Sequence, residues 1–294
     1  MHAVFTNRKA IVALTVPALL VMLFAIVAPI LLSIYYGLTS WAGFGKLTFV
    51  GLRNYRDIIT ADPTFWHSLA NAVILALVTI FIQNPVAFVI AAALTKVKRS
   101  RIFRTIYFIP AILTVVVVTR LWVSIFNPNY GLLNKVIHAL GFSQFSVAWL
   151  SNPSTALWSV IFIMIWYGFG WALLFYYSGL MTMSPEIEEA AVIDGANRWQ
   201  LYTRVVIPYI FPVIQAVLII DVISSLKQME VIYLSTNGAP GDATQFIANY
   251  LYIKAFMYSQ YGYGSAISVM FVVIALILTL VTRGLTNRNP GVEL

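Results

Sequence analysis

Apolar side chains in this chain do not alternate with polar ones; they gather into long runs separated by short polar stretches. Runs long enough to cross a bilayer, about 20 residues each, occur at roughly 10–36, 69–95, 105–126, 155–180, 206–227 and 264–284. Six such spans predict an all-α integral membrane protein, one transmembrane domain over 1–294, with both termini on the same side. Pro17, Pro29, Pro85 and Pro110 fall within the first three spans. Prolines there are tolerated where neighbouring helices or water satisfy the freed carbonyls, so they mark kinks or simply reflect the frequency of Pro in membrane helices. Between spans, Asn54, Arg56 and Asp57 beside aromatics predict an interfacial helix within 37–68. Leu132, Leu133, Val136, Ile137 and Leu140 recur at helical spacing and predict a short helix on the outer surface.

One polar insert breaks the pattern. Ser184 to Pro208, SPEIEEAAVIDGANRWQLYTRVVIP, lies between two apolar runs. Ser184 is a candidate N-cap, Pro185 suits the first helical position, and Glu186, Glu188 and Glu189 put negative charge at the positive end of the helix dipole. Ile187, Ala190, Ala191 and Asp194 share one face, which the alanines keep low enough for close approach by another surface. Gly195 ends this helix with a turn, and a second short helix is expected before Pro208.

Composition sharpens the class. With 61% hydrophobic and 10% charged residues, the chain is not an ordinary soluble domain. The net charge of +8 reads as topology rather than nucleic-acid binding. Arg8, Lys9, Lys96, Lys98, Arg99, Arg101, Arg104, Arg198, Arg204, Arg283 and Arg288 fall on one side. Lys46, Arg53, Arg56, Lys135 and Lys254 fall on the other, with Arg120 and Lys227 within or near membrane depth. The richer side is expected to be cytoplasmic, which places the Ser184–Pro208 insert there. The run Lys96–Arg104 is expected to anchor the chain against anionic lipid. Absence of cysteine excludes disulfides and thiolate metal sites. The first apolar run is too long for a signal-peptide core and is expected to remain in the mature protein.

Several chemistries find no support. No G-x-x-x-x-G-K-[ST] occurs, so ATP has no site on this chain. His2, His67 and His138 match no metal spacing, and neither H-E-x-x-H nor G-x-S-x-G is present. Asn84-Pro85 reads as a kink, and Asn127-Pro128 and Asn152-Pro153 as loop starts. Polar groups at membrane depth are costly and are site candidates by default. Asp221, Ser225 and Gln228, at i, i+4 and i+7, share a helical face whose groups suit sugar hydroxyls. Asp221 alternatively pairs with Arg120 or Lys227 for structure only. Arg120 is expected to pair with Asp221 or Glu230, or else to line the pathway and favour an acidic cargo. Lys227 and Glu230, at i and i+3, are expected to neutralise each other.

Glu189-Ala190-Ala191, three residues, Gly195, nine residues, then Val205-x-Ile207-Pro208 resembles the EAA loop of binding-protein-dependent ABC importer permeases, E-A-A-x3-G-x9-I-x-L-P. Val205 and Ile207 are the departures, both conserving volume. FVGLRNYRDII with DPTFW, YGLLN, WLSNPSTALW and TNGAPGDATQ resemble stretches of the carbohydrate branch, with Ala239 where a second Gly is usual. The resemblance implies a type I ABC importer permease fold with a cytoplasmic coupling helix, on which Glu188, Glu189, Ala190, Ala191, Asp194 and Gly195 meet an ATPase. It implies a heteromeric complex in the cell membrane, comprising a second related permease, two ATPase subunits that bind the ATP, and an external solute-binding protein. No cofactor, metal or catalytic residue is expected on this chain. Aligned with maltose-type relatives, the sugar-binding positions fall on Tyr167, Gly168, Trp171, Asp221, Ser225 and Gln228. The expected function is alternating-access import of a carbohydrate, with an oligosaccharide as the leading candidate. Glycerol phosphate or an acidic sugar is the alternative within the class, and an ion-coupled carrier using Asp221 as relay is the alternative outside it.

Overall fold

A computed structural model describes residues 8–142, 144 and 146–286; His2 and Arg288 lie outside the described residues. Four helices are long and apolar enough to cross a membrane: α1 (Ile11–Gly37), α3 (Pro63–Thr95), α7 (Pro153–Leu180) and α13 (Tyr261–Thr286), with α2 (Arg53–Ala61) standing between the first two. The expected third and fifth spans are each broken. Helices α4 (Ser100–Ile112) and α5 (Val115–Ile125) meet at 92°, and α9 (Arg198–Tyr209) and α10 (Phe211–Leu226) at 69°. Counting each bent pair as one span gives six. Between these run α6 (Leu132–Ala139), α8 (Pro185–Ile193), α11 (Glu230–Ser235) and α12 (Ile247–Tyr252).

The breaks have local causes. At the first, Leu113 and Thr114 are extended, and the Thr114 hydroxyl caps α5 by accepting from Val117 N at 3.5 Å. At the second, Ile210 leaves helical geometry between Pro208 and Pro212. Two other prolines are absorbed without a break. Pro29 and Pro85 each lie just beyond a wider, π-type stretch, at Leu23–Val27 and Thr79–Gln83, and a third such stretch, Leu201–Val206, precedes Pro208. Widening the helix relieves the clash of the proline ring with the carbonyl four residues back.

The described chain divides into two compact units. The smaller holds α1, a two-stranded antiparallel hairpin (β1, Thr39–Ser40; β2, Thr48–Phe49), α2 and residues 251–273. Asn54 is buried and donates to the carbonyls of Gly37 and Thr39, both at 2.9 Å, pinning α2 under the turn that follows α1. The Tyr263 hydroxyl donates to Asp62 Oδ2 at 2.5 Å.

The larger unit is built on α7. Asn152 caps this 28-residue helix by accepting from Ser154 N at 3.0 Å, with Pro153 in the first turn. Gly170 lets α7 touch the backbone of α4, and small residues Ala87, Ala91 and Ala172 bring α3 and α7 together. The same buried cluster takes in Tyr176, Leu180, Val206, Ile210 and Val217, so the base of the Ser184–Pro208 insert is packed on α3 and α7. Aromatic side chains of α7 pack mainly against neighbouring helices: Trp166 and Phe162 meet Trp122 edge to face at 5.4 and 4.8 Å. Between α5 and α7, α6 forms as its periodicity predicts. Buried Asn134 holds it in place by donating to Pro128 O and Val147 O and accepting from Trp149 Nε1 at 2.9 Å.

Candidate functional site

A cavity of about 350 Å³ opens within the larger unit, between α3, α7 and α10. All six sequence-predicted binding positions line it: Tyr167, Gly168 and Trp171 from α7, Asp221 and Ser225 from α10, and Gln228 just beyond. The i, i+4, i+7 spacing of Asp221, Ser225 and Gln228 does put them on one wall. Trp171 stands edge to face with Phe108, ring centroids 5.2 Å apart, and stays more than half exposed. The lining mixes aromatic faces with a few convergent polar groups, the composition of a small-molecule site.

Three polar cavity residues escaped the sequence reading. Ser224 lies one step from the expected face, and Thr79 and Gln83 come from the widened stretch of α3. Asn84, read as part of a kink, donates its Nδ2 to Asp221 Oδ2 at 2.8 Å. This corrects the expected partner of Asp221, which is neither Arg120 nor Lys227. Arg120 sits exposed on α5, does not line the cavity, and has no ion pair among the described residues. Lys227 and Glu230 are both exposed and likewise form no ion pair there, because the chain leaves α10 before Lys227 and a new helix begins at Glu230.

The insert folds as α8, a turn and α9. Gly195 takes φ +83°, a left-handed conformation that ends the helix after Asp194. Ser184 has the extended backbone of an N-cap but makes no side-chain capping bond. Glu186 is the residue that feels this end: its own backbone N–H, and then the Ser184 hydroxyl, hold its carboxyl below the usual carboxylate range. Asn197 and Gln200 form a reciprocal capping box at the start of α9, each side chain bonded to the other's backbone N–H at 2.9 Å. Glu189, Ala190, Asp194 and Gly195 are exposed, Ala191 half-buried, and Glu188 forms an ion pair with Lys96. Ile193 and Trp199, 84% and 78% exposed, are large apolar side chains that the motif did not announce. The basic run also makes contacts within the chain. Besides the Lys96 pair, Arg104 lies over the Tyr177 ring at 4.2 Å.

Up to six spans, a half-buried carboxylate in a cavity among them and an exposed polar loop packed on the span helices define a multi-pass membrane transport subunit. Residues 83–289 match the family model described as "binding-protein-dependent transport system inner membrane component", and the chain belongs to that family. It is 33% identical over 269 residues to the probable ABC transporter permease protein YurN of Bacillus subtilis, covering 90% of this chain and 91% of the relative. It is 32% identical over 270 residues to the multiple sugar-binding transport system permease protein MsmF of Streptococcus mutans, covering 91% of each. Among solved structures, a bacterial ABC transporter involved in import of the acidic polysaccharide alginate superposes with a TM-score of 0.81 at 23% identity, over 96% of both chains. The fold is that of a type I ABC importer permease, and the chain is a membrane-spanning transport subunit that works with a solute-binding protein, not an enzyme.

Proposed function

We propose that this chain is one of two related membrane subunits of an ATP-driven importer for a carbohydrate of oligosaccharide size. The cavity between α3, α7 and α10 carries this reading: Tyr167 and Trp171 offer faces for sugar C–H groups, while Asp221, Ser225 and Gln228 take hydroxyls. MsmF, similar along nearly its whole length, is named for sugar transport, which supports the same class of cargo. Among the described residues the only charged side chain lining the cavity is Asp221, and Arg120 stands outside it, so a neutral sugar fits better than glycerol phosphate or an acidic sugar. Family membership leaves no need for an ion-coupled carrier in which Asp221 relays protons.

In this proposal two ATPase subunits bind the ATP and dock on α8 from the cytoplasm, where both termini of this chain also lie. Glu188, Glu189, Ala190, Ala191, Asp194 and Gly195 form the contact, joined by exposed Ile193 and Trp199. ATP binding closes the ATPases, and α8 and α9 carry that motion into the helices around the cavity, exposing it alternately to either side. The partners drive the cycle only through their different affinities for the two states. The test is to copurify the complex, reconstitute it, and measure ATP hydrolysis with the binding protein loaded with candidate sugars. One neutral sugar is expected to stimulate hydrolysis, and deletion of Glu189–Gly195 to abolish stimulation and uptake together. Uptake that survives this deletion overturns the coupling role.

A further inference from the structure

The α3 wall of the cavity is formed by Leu75, Thr79 and Gln83, spaced at i, i+4 and i+8. The widened stretch Thr79–Gln83, set just before Pro85, forms the second half of this wall, and such stretches recur at functional sites. The Thr79 hydroxyl is engaged within its own helix, donating to Leu75 O at 2.8 Å, and the Asn84 amide is engaged with Asp221. Gln83 differs from both. It is only 6% exposed, it lines the cavity, and its amide has no hydrogen-bond partner among the described residues. What little of Gln83 is exposed opens on the cavity, so its amide is free to meet a polar group there. Across from it, α7 carries no side chain at Gly168, where a Cβ would stand 3.7 Å from Gln83 Nε2. Gln83 and Gly168 thus face each other across the cavity, with no side chain of α7 at that point between them.

We propose that Gln83 binds the cargo directly, reading a sugar hydroxyl from α3 as a third wall beside those of α7 and α10. The proposal rests on the carbohydrate reading of the cavity. A glutamine amide offers two donors and an acceptor, which matches the donor and acceptor character of a hydroxyl.

The test uses the intact importer with its ATPases, second permease and binding protein. Uptake of maltose, trehalose and diacetylchitobiose is measured beside their monodeoxy derivatives, for wild type, Gln83→Met and Gln83→Glu. For one hydroxyl position, wild type is expected to transport the deoxy derivative about tenfold more slowly than the parent, and Gln83→Met to erase that difference. Comparing ratios between wild type and variant cancels whatever the binding protein itself reads. Equal loss for every sugar, or unchanged ratios throughout, overturns the proposal. If Gln83→Met does not assemble, Gln83→Glu must alter the ratio at the same hydroxyl. Failure of both to assemble assigns Gln83 to structure and overturns the proposal too. A wild-type complex that takes up none of the sugars overturns the carbohydrate reading and this inference with it, before any variant is compared.

Discussion

Gly170 shows how little room single residues leave in the larger unit. A Cβ there would stand 2.6 Å from the Tyr107 carbonyl oxygen and 2.9 Å from Phe108 Cα, and backbone atoms do not rotate away. Gly170→Ala is expected to push α7 off α4 at a cost of about 1–3 kcal/mol. Thermal unfolding of the purified complex should shift down by several degrees, while Gly284→Ala, which meets nothing within 4 Å, should not shift it. A Gly170→Ala complex that melts with wild type would remove the packing argument. At this scale the sequence was legible where chemistry and spacing coincide. Asp221, Ser225 and Gln228 are polar at helical intervals in an apolar run, and the structure places them on one wall. Gln83 was not legible, because a lone amide beside Asn84-Pro85 reads as part of a kink until the fold shows which way that stretch faces. Nor was the partner of Asp221: attraction between opposite charges suggested Arg120, but burial favoured a neutral amide that neighbouring helices could bring to 2.8 Å.

Among elements, α8 is the one whose local signals were complete, with Pro185 at its start, acidic residues in its first turn and Gly195 at its end. Only the Ser184 side-chain cap is missing. Glu186 is held below the usual carboxylate range in the folded chain, so its contribution to α8 is full above that range and is lost as pH falls through the depressed value. Hydrogen exchange at α8 amides is therefore expected to speed up in acid, and Glu186→Gln to flatten that dependence. Exchange in the variant that tracks wild type across the acid range would show that Glu186 is not the group responsible. The broken spans were not legible in the same way. Residues on either side of Leu113–Thr114 and of Ile210 are equally apolar, so hydrophobic runs cross both breaks without a mark. Proline alone does not decide the matter, since Pro85 is absorbed by a wider turn while Pro208 and Pro212 bracket a true bend.

For the whole molecule, charge selectivity follows from what the cavity includes. Arg120 carries a positive charge on a span helix but lies outside the cavity lining. Arg120→Ala is expected to leave the ratio of neutral to acidic sugar uptake unchanged in reconstituted complexes. Selective loss of acidic sugar uptake would bring Arg120 back as a counter-ion. The motif and the spans were legible because they depend on local sequence; the cavity depends on three helices distant in the chain, and only their far-apart polar residues hinted at it.

The bend at Ile210 has a mechanical consequence. Below it, α9 is clamped into the buried cluster with α3 and α7; above it, α10 stays in that cluster as far as Val217 and then carries Asp221 and Ser225. A helix of 16 residues is about 24 Å long. As a lever hinged at its base, α10 turned by about 10° would carry its far end through about 4 Å and Asp221 through nearly 3 Å, estimated from the same rise per residue. A stroke of that size would exceed the tolerance of the 2.8 Å bond between Asn84 and Asp221, so the wall of the cavity holds together only while the packing around Val217 keeps α10 in place.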